Sequence, residues 1–336
     1  MPGPWTQLFG PPVKHKGYIL FFLGLSLLIA ILLYYGIGDV MEALAAAGWG
    51  LVLVAASHAL PLFMDSHAWR LLFIGRRVPP LHLLIYARWI GEAINSLLPA
   101  AQIGGDMVRA RLLAVRNYPV PEAGASVFVE VTVALLSQLV FTLIGIGCLI
   151  SLGGHEILLH ALSGFALLLT LVALFIWAQR RGFWARLVNL LAVFVGRERL
   201  NDLAGNAEAL DEAIRSTYQA KRKVAISFLW RLAGWIAGAT EVWLALWFMG
   251  AEPTILKAVL LESLGHVIRG IAFLIPGAYG VQEGGFVFLG SMVGLSPEIA
   301  LSMSLAKRFR ELVLGIPALV AWQVEEGRLI FRRMKP

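Results

Sequence analysis

The feature that most constrains this sequence is a set of long apolar stretches with almost no charge. Residues 18–37 contain no Asp, Glu, Lys or Arg, and residues 157–178 contain none either. A helix of about 20 such residues is long enough to cross the hydrocarbon core of a bilayer, which is about 30 Å thick. The chain is therefore expected to fold with lipid against much of its surface.

The overall composition supports the same conclusion. Apolar residues make up 59% of the chain and charged residues 15%, whereas soluble domains average about 45–50% and about 25%. The mean hydropathy is +0.76. A soluble fold of 336 residues could not cover its surface with so few charges. The composition predicts an all-α polytopic membrane protein, with residues 1–336 forming a single integral membrane domain.

Several classes of site are excluded or disfavoured by the residue types. The single cysteine, Cys148, lies in an apolar stretch, which excludes a disulfide framework, a zinc knuckle and a CxxC redox motif. The seven histidines form no HExxH motif, and there is no Walker A motif. We expect no metal and no cofactor. The net charge of +7 is interpreted as a sign of membrane orientation rather than of nucleic-acid binding.

Lysine and arginine predict the orientation of the chain. Cytoplasmic segments carry an excess of these residues, and one alternating assignment satisfies nearly all of them, with Lys257 as the exception. This assignment has about six full transmembrane helices and places both termini in the cytoplasm, in a bacterial inner membrane. The predicted spans are residues 18–37, 44–72, 123–152, 157–178, 224–249 and 297–324.

Residues 179–223 form the only sizeable polar stretch. We interpret them as a cytoplasmic linker between a first half, residues 18–178, and a second half, residues 224–325. Within the linker, residues 183–195 predict an interfacial amphipathic helix, and residues 201–223 predict a charged surface helix. A linker of this size cannot house a soluble catalytic domain, so any chemistry is expected in or at the membrane.

Two further apolar segments, residues 81–98 and 255–275, do not resemble ordinary spans because each runs into residues that break helices. The stretch after each break is too charged or too short for the 17–25 residues or so that a span needs. We predict two re-entrant hairpins, whose irregular backbone is tolerated where protein or water surrounds it. The breaking residues are Pro99, Gly104 and Gly105 in the first segment and Pro276, Gly277, Gly280 and Gly284 in the second.

The two segments also match one another. The same seven-residue spacing separates Pro99 from Asp106 and Pro276 from Glu283, and a Pro-Glu pair follows in both copies, at positions 121–122 and 297–298. The arginine distribution has the hairpins entering from opposite faces. The pattern predicts an inverted-topology repeat, and paired interrupted segments of this kind mark the binding sites of transporters. The alternative is two coincidental proline kinks in ordinary helices.

Charged side chains inside the predicted membrane region are the candidate site residues. Each would cost about 2.5–3.5 kcal/mol at the bilayer centre if left alone, so they must form pairs or line water. They serve either as structural ion pairs or as the wall of a polar cavity for a lipid headgroup, in which arginine suits phosphate. The candidates are Arg88, Glu92, Asp106, Arg109, Glu130, Glu262, His266, Arg269, Gln282, Glu283, Arg308 and Glu311.

The spacing of these residues predicts particular partners. Arg88 with Glu92 and Lys307 with Glu311 are i,i+4 pairs, and residues 262, 266 and 269 share one helical face. Arg231 is expected to extend toward the inner interface. Four of the candidates are expected to surround a cavity near the midplane, with Glu283 close to Arg308. These four are Asp106, Arg109, Glu283 and Arg308.

Two stretches at the breaks resemble the signature stretches of the flippase-like membrane family that includes the transmembrane region of lysylphosphatidylglycerol synthase. Residues 262–269 and 307–311 are most similar to its hopanoid-biosynthesis-associated subgroup, HpnL. The resemblance implies lipid translocation, or a membrane partner in lipid biosynthesis. No counterpart of the synthases' soluble aminoacyl-transfer domain is expected here. The two stretches are Leu97-Leu98-Pro99…Gly104-Gly105-Asp106…Arg109 and Pro276-Gly277…Gly280-Val281-Gln282-Glu283-Gly284.

The leading functional hypothesis is movement or presentation of an amphiphilic lipid, of the phospholipid or hopanoid type, with lipid-biosynthetic enzymes as possible partners and no role for nucleic acid. One alternative is an intramembrane lipid transferase with Glu283 or Asp106 as base, for which a carboxylate–histidine pair such as Glu262 and His266 would be needed. Another is a non-catalytic scaffold, in which every intramembrane charge is paired and no cavity opens.

Overall fold

The computed structural model describes residues 14–75, 77–98, 104–153, 158–180, 200–272 and 275–334. Within these ranges the chain is helical and contains no β-strand, which confirms the predicted all-α class. The amphipathic helix predicted for residues 183–195 lies outside the described residues. So do Pro99 and the rest of the first predicted break, up to residue 103.

The described segments form a series of α-helices and one short 3₁₀ helix, Pro276–Ala278. In chain order the α-helices are α1 Lys14–Tyr35, α2 Ile37–Ala47, α3 Gly50–Ser57, α4 Ala59–Leu71, α5 Leu81–Leu97, α6 Gly104–Val115, α7 Val120–Ser151, α8 Leu158–Arg180, α9 Leu200–Gln219, α10 Lys221–Phe248, α11 Ile255–Ile271, α12 Val281–Met292 and α13 Pro297–Met334.

Among these helices, two are long and apolar enough to cross a membrane by length and composition. They are Gly50–Leu71, which joins α3 and α4, and α7. A third candidate span is obtained if the apolar part of α1, Leu25–Tyr35, is counted together with α2, although these two helices meet at an angle of 91°. Helices α10 and α13, with 28 and 38 residues, are longer than many spans but carry charges. The predicted number of six crossings therefore stays a prediction.

The distribution of side chains is that of a protein in lipid. Charged residues are buried between the helices, and large apolar residues are exposed on the outer faces. Exposed apolar patches of such extent are rare on soluble monomers, whereas lipid is the favoured neighbour of these side chains. Exposed examples on α1, α7, α8 and α13 are Phe22, Leu33, Leu143, Leu159, Leu167, Ile316 and Val320.

Helix boundaries repeat along the chain. The ends of α4 and α10, at residues 71 and 248, are 177 positions apart, and so are the starts of α6 and α12 and the starts of α7 and α13. The first arms α5 and α11 have 17 residues each, and the second arms α6 and α12 have 12 each. At 1.5 Å per residue the arms are about 25 and 18 Å long, which is shorter than the hydrocarbon core.

We call α5–α6 the first hairpin and α11–α12 the second hairpin, since the two arms of each pack together. Glycine at the second break is required by the backbone, because Gly277 and Gly280 have φ values of +64° and +76°. Gly104, Gly105 and Gly284 instead lie inside the first turns of α6 and α12. Whether the hairpins are re-entrant, and from opposite faces, stays a prediction.

The two halves interlock. Helix α7 of the first half packs against α11 of the second hairpin, α13 of the second half packs against α5 of the first hairpin, and α10 packs against α4. One apolar core combines Phe141 of α7 with residues of α10 to α13, and another combines α5 and α6 with Ala318 of α13. Each half therefore completes the core around the other half's hairpin.

Candidate binding cavity

A polar cavity of about 200 Å³ lies where the two halves meet. Its wall is formed by α4, α5, α10, α11, α12 and α13, together with the break between α3 and α4. Most of the wall is made of ionisable side chains, which is unusual for a small-molecule pocket. The ionisable residues are His58, Asp65, Glu92, Arg231, Glu241, Glu262, His266, Arg269, Lys307, Arg310 and Glu311.

The second hairpin and α13 supply a dense part of this wall. Lys307 Nζ donates to Glu262 Oε2 at 2.6 Å, and His266 Nε2 lies 3.0 Å from the other oxygen of Glu262. The guanidinium of Arg269 is bonded to the carboxylate of Glu311. Lys307 therefore bonds across the cavity to α11 rather than to Glu311 on its own helix, because its flexible side chain reaches a buried carboxylate there.

His58 connects the halves. It occupies the break between α3 and α4, and its Nε2 lies 3.1 Å from Glu92 Oε2 on the first hairpin. Its Nδ1 lies 2.9 Å from Nη1 of Arg310 on α13 and 3.8 Å from Glu241 Oε2 on α10. Arg310 and Glu241 also form an ion pair, with Nε and Oε1 3.0 Å apart. One imidazole thus contacts groups from α5, α10 and α13.

Arg231 lies in the cavity wall and is only 9% exposed. Its guanidinium contacts the carboxylate of Asp65 and stacks over the ring of Trp235 at 4.5 Å. The expectation that Arg231 extends to the inner interface is therefore not what the structure shows. Because α4 packs against α10, a buried carboxylate is available as its partner.

A second group of charges lies outside the cavity wall, with three members buried and Asp106 partly exposed. We call it the Glu130 cluster, and it consists of Arg88, Asp106, Arg109 and Glu130. Arg88 Nη2 and Arg109 Nη2 donate to the two oxygens of Glu130 at 2.5 and 3.0 Å. Arg109 also donates to Asp106 at 2.5 Å, and its guanidinium lies over the ring of Trp69. The cluster joins both arms of the first hairpin to α7.

The predicted proximity of Glu283 and Arg308 is present, since Arg308 Nε donates to Glu283 Oε1 at 2.9 Å. The other oxygen of Glu283 accepts from the backbone N–H of Gly280 at 2.7 Å and so caps α12. Arg308 also donates to Glu311 and lies over the ring of Tyr279. Neither member of the pair belongs to the cavity wall. The pair attaches the break in the second hairpin to α13.

The residues selected from the sequence therefore fall into two groups. Those outside the cavity wall are Arg88, Asp106, Arg109, Glu130, Glu283 and Arg308. Those in the wall are Glu92, Glu262, His266, Arg269, Gln282 and Glu311.

Sequence reasoning missed His58, Asp65 and Asn95 as members of the wall. The signal for Asp65 was available, because it is a lone carboxylate inside a predicted span. Within the described ranges, no cluster of His, Cys, Asp and Glu is suited to a metal ion.

An apolar pocket of about 260 Å³ lies on α3, α4, α5 and α13, the last three of which also contribute to the polar cavity. Ala59 directly follows His58, Trp89 lies one turn from Glu92, and Leu314 lies one turn from Arg310 along their helices. The two spaces are therefore neighbours along these three helices. The pocket is lined by Ala55, Ala56, Ala59, Leu62, Ile85, Trp89 and Leu314.

Known proteins resemble this chain over nearly its whole length. A UPF0104 membrane protein of Methanothermobacter thermautotrophicus is 26% identical over 325 residues, covering 88% of this chain and 91% of its own. A UPF0104 membrane protein of Pyrococcus horikoshii is 20% identical over 336 residues, covering 95% and 98%.

No solved structure matches the chain. The family described as the lysylphosphatidylglycerol synthase TM region matches residues 19–318. The chain is accordingly a multi-pass membrane protein that belongs to the lysylphosphatidylglycerol synthase TM region family.

Proposed function

We propose that this protein moves an amphiphilic lipid between the leaflets of a bacterial inner membrane, or presents it to an enzyme there. The observation that carries the proposal is the charged cavity beside an apolar pocket, both of which are lined by α4, α5 and α13. An amphiphile has a polar headgroup and an apolar chain, and each of the two spaces suits one of them. Membership of a family of membrane proteins related to lipid synthesis is consistent with this assignment.

The cavity offers hydrogen-bond donors to a headgroup. Gln282 is 2% exposed and lines the cavity, its Oε1 accepts from Arg269, and its Nε2 has no hydrogen-bond partner among the described residues. A buried donor without a partner is costly, so an acceptor on a ligand would stabilise it. Arg269 and Arg310 add planar guanidinium groups that suit phosphate, and the carboxylates hold these cations when no headgroup is bound.

The apolar pocket suits one hydrocarbon chain. The small side chains of Ala55, Ala56 and Ala59 leave a groove on α3 and α4, and Trp89 closes one side of it. Trp89 is itself held by a hydrogen bond from its Nε1 to the backbone oxygen of Leu314 at 2.8 Å. A headgroup in the cavity would therefore place its chain against a preformed apolar surface.

The topology, the subgroup, the lipid class and the partners in this proposal are those predicted from the sequence. Both hairpins are re-entrant, they enter from opposite faces, and both termini are cytoplasmic, as in transporters with inverted repeats. The assignment to the HpnL subgroup, with a hopanoid or phospholipid substrate and lipid-biosynthetic enzymes as partners, rests on the resemblance of residues 262–269 and 307–311.

The topology can be tested with cysteines at the hairpin tips. In a Cys148→Ala background, Leu98→Cys and Ile275→Cys should not react with an impermeant thiol reagent applied from the face opposite to the entry of each hairpin. Arg222→Cys and Glu252→Cys serve as cytoplasmic and external controls. Labelling of Leu98→Cys only from outside and Ile275→Cys only from inside would show that both hairpins cross the membrane fully.

Lipid movement can be tested in proteoliposomes that contain a fluorescent phosphatidylglycerol, with dithionite as quencher of the outer leaflet. The double variant Glu262→Gln/Lys307→Met removes a buried ion pair without stranding either charge. We expect it to accumulate as folded protein and to lose most lipid movement. Glu212→Gln, at an exposed position of α9, is the control. Movement at the wild-type rate by the folded double variant would contradict the proposal.

One observation favours a second candidate function. Glu262 and His266 are 3.0 Å apart in the cavity wall, which is the carboxylate–histidine pair that an intramembrane lipid transferase would need. Mass spectrometry of lipid incubated with the purified protein would detect a transferred group. A purely structural scaffold would show neither movement nor a product.

A further inference from the structure

We infer that His58 is a proton-binding site whose protonation breaks the hydrogen-bonded path from Arg310 of α13 through His58 to Glu92 of the first hairpin. The inference rests on the proposed lipid movement for its consequence, but the site itself is defined by geometry. His58 lies in the break within Gly50–Leu71, its side chain is 18% exposed, and it lines the polar cavity. A proton that reaches the cavity can therefore reach this imidazole.

The partners of His58 define its protonation state in this structure. An arginine side chain has only donors, and Arg310 Nη1 lies 2.9 Å from Nδ1 of His58. The same Nη1 lies 3.2 Å from Nε2. Nε2 lies 3.1 Å from a carboxylate oxygen of Glu92, which can only accept from it. A cation against the ring and an acceptor at Nε2 together favour a neutral imidazole that carries its proton on Nε2.

This tautomer links α5 to α13 through one residue. Arg310 donates to His58, and His58 donates to Glu92 on the first hairpin. Glu92 also faces Arg88 on α5 at 3.8 Å, and Arg310 faces Glu241 on α10. A neutral replacement for His58 must have both a donor for Glu92 and an acceptor for Arg310, and an amide has both.

A second proton on the ring changes these contacts. The imidazolium has donors at both nitrogens, so Nδ1 can no longer accept from Arg310, and two cations then stand side by side. The carboxylate of Glu241, 3.8 Å from Nδ1, is the nearest acceptor for the new N–H. Glu241 is at present the partner of Arg310, so protonation makes His58 and Arg310 compete for it. Glu311, 3.9 Å from Arg310 Nη2, is the alternative partner for the arginine.

The consequence is a change in the cavity that depends on proton binding. Release of Arg310 from His58 removes the hydrogen-bonded link between Glu92 of the first hairpin and Arg310 of α13, both of which line the cavity. The bonds of Trp89 and Arg111 to α13 remain. A headgroup could then enter between Glu92 and Arg310, and loss of the proton would restore the link. A proton gradient across the membrane would bias these two states, which identifies a class of energy source for lipid movement.

Two substitutions distinguish proton binding by His58 from its hydrogen bonds to Glu92 and Arg310. His58→Gln keeps a donor for Glu92 and an acceptor for Arg310 but cannot bind a proton in this pH range. His67→Gln on α4 is the matched control, because His67 packs against the rings of Phe63 and Trp230 and does not line the cavity. Both variants should accumulate as the wild type does.

The first measurement is lipid movement by the full chain in proteoliposomes with fluorescent phosphatidylglycerol at pH 5.5 and 7.5. The wild-type and His67→Gln rates should differ between the two pH values. The His58→Gln rate should change less than about twofold, since its amide does not titrate there. Equal pH dependence of the wild type and His58→Gln would overturn the inference and leave the proposed function intact.

The second measurement does not depend on lipid movement. The NMR signal of ¹⁵N-histidine in the detergent-solubilised protein, assigned by its loss in His58→Gln, reports which ring nitrogen carries a proton. We expect the Nε2–H tautomer at high pH and the imidazolium at low pH. If the wild type moves no lipid at either pH, the proposed function is wrong and this signal alone decides the inference. An Nδ1–H tautomer, or a signal that does not change with pH, would overturn it.

Discussion

The two hairpins have arms of the same lengths but close in different ways. In the first hairpin the backbones touch, because a Cβ atom on Gly105 would overlap the carbonyl group of Gly91. In the second hairpin side chains separate the arms, since a Cβ atom on Gly285 would meet the side chain of Ile268, and one on Gly284 would meet only Ile31 at 3.6 Å. The first hairpin is rigid, whereas the second can adjust through its side chains.

The charges of the two hairpins also differ in where they lie relative to the cavity. The Glu130 cluster lies outside the cavity wall and faces it through Arg88, which is 3.8 Å from Asp65 and from Glu92, while Glu262, His266, Arg269 and Gln282 of the second hairpin line the cavity. A repeat in helix length therefore does not imply a repeat in role. We interpret the first hairpin as a fixed support and the second as the part that responds to a ligand.

The largest expected effect is that of Gly105→Ala. The new methyl group has no space beside the backbone of Gly91, and backbone atoms cannot shift as a side chain can. We expect a loss of about 4–5 kcal/mol, at the upper end for single substitutions, seen as loss of the folded peak in size-exclusion chromatography. Gly284→Ala is the matched control and should be tolerated. Equal stability of the two variants would remove the contrast between the hairpins.

Glu130→Ala tests the Glu130 cluster. The change leaves Arg88 and Arg109, each 4% exposed, without their shared carboxylate. Removal of one partner from a buried charge network costs about 3–5 kcal/mol, which thermal unfolding in detergent would measure. Glu212→Ala disrupts an exposed pair with Arg215 and should cost at most about 1 kcal/mol. A stable Glu130→Ala protein would show that the cluster does not hold the first hairpin.

Glu283→Gln should have a smaller effect. The amide oxygen can still accept from the N–H of Gly280, and Arg308 keeps Glu311 as a partner. We expect a loss of about 1–3 kcal/mol. Since Glu283 does not line the cavity, lipid movement per folded molecule should be retained. A variant that folds normally but moves no lipid would place Glu283 in the working part of the second hairpin after all.

The smallest expected effect concerns the far end of the first hairpin. Arg111 forms two hydrogen bonds with Glu326 of α13, at 2.9 and 2.7 Å, and both side chains are partly exposed. Arg111→Glu should lower the thermal midpoint only slightly, because partly exposed pairs contribute about 1 kcal/mol or less. The reversed pair Arg111→Glu/Glu326→Arg should restore it. Absence of any rescue would mean that this contact does not hold α6 to α13.

Some of the site could be predicted from the sequence because local spacing determined it. Arg88 and Glu92 are an i,i+4 pair and lie 3.8 Å apart, and Glu262 contacts His266 one turn away. The proximity of Glu283 to Arg308 followed from the short connection between α12 and α13.

Other contacts depend on how helices pack, which spacing does not reveal. Lys307 has Glu311 one turn away but bonds Glu262 on α11. His58 was not selected because a lone histidine in an apolar stretch is usually structural or interfacial, and only its contacts with Glu92 and Arg310 show its position between the halves. The repeat itself was visible in the sequence, whereas the different closure of the two hairpins needed the positions of Gly91 and Gly105.

The packing of α13 against α5 has a consequence for how the protein is made. The ribosome synthesises α13 after all the other described helices, yet Trp89 of the first hairpin bonds Leu314, and Arg111 and Arg116 pair with Glu326 and Glu325. Until α13 inserts, these contacts cannot form. Assembly of the first hairpin is therefore completed only after α13 has been synthesised.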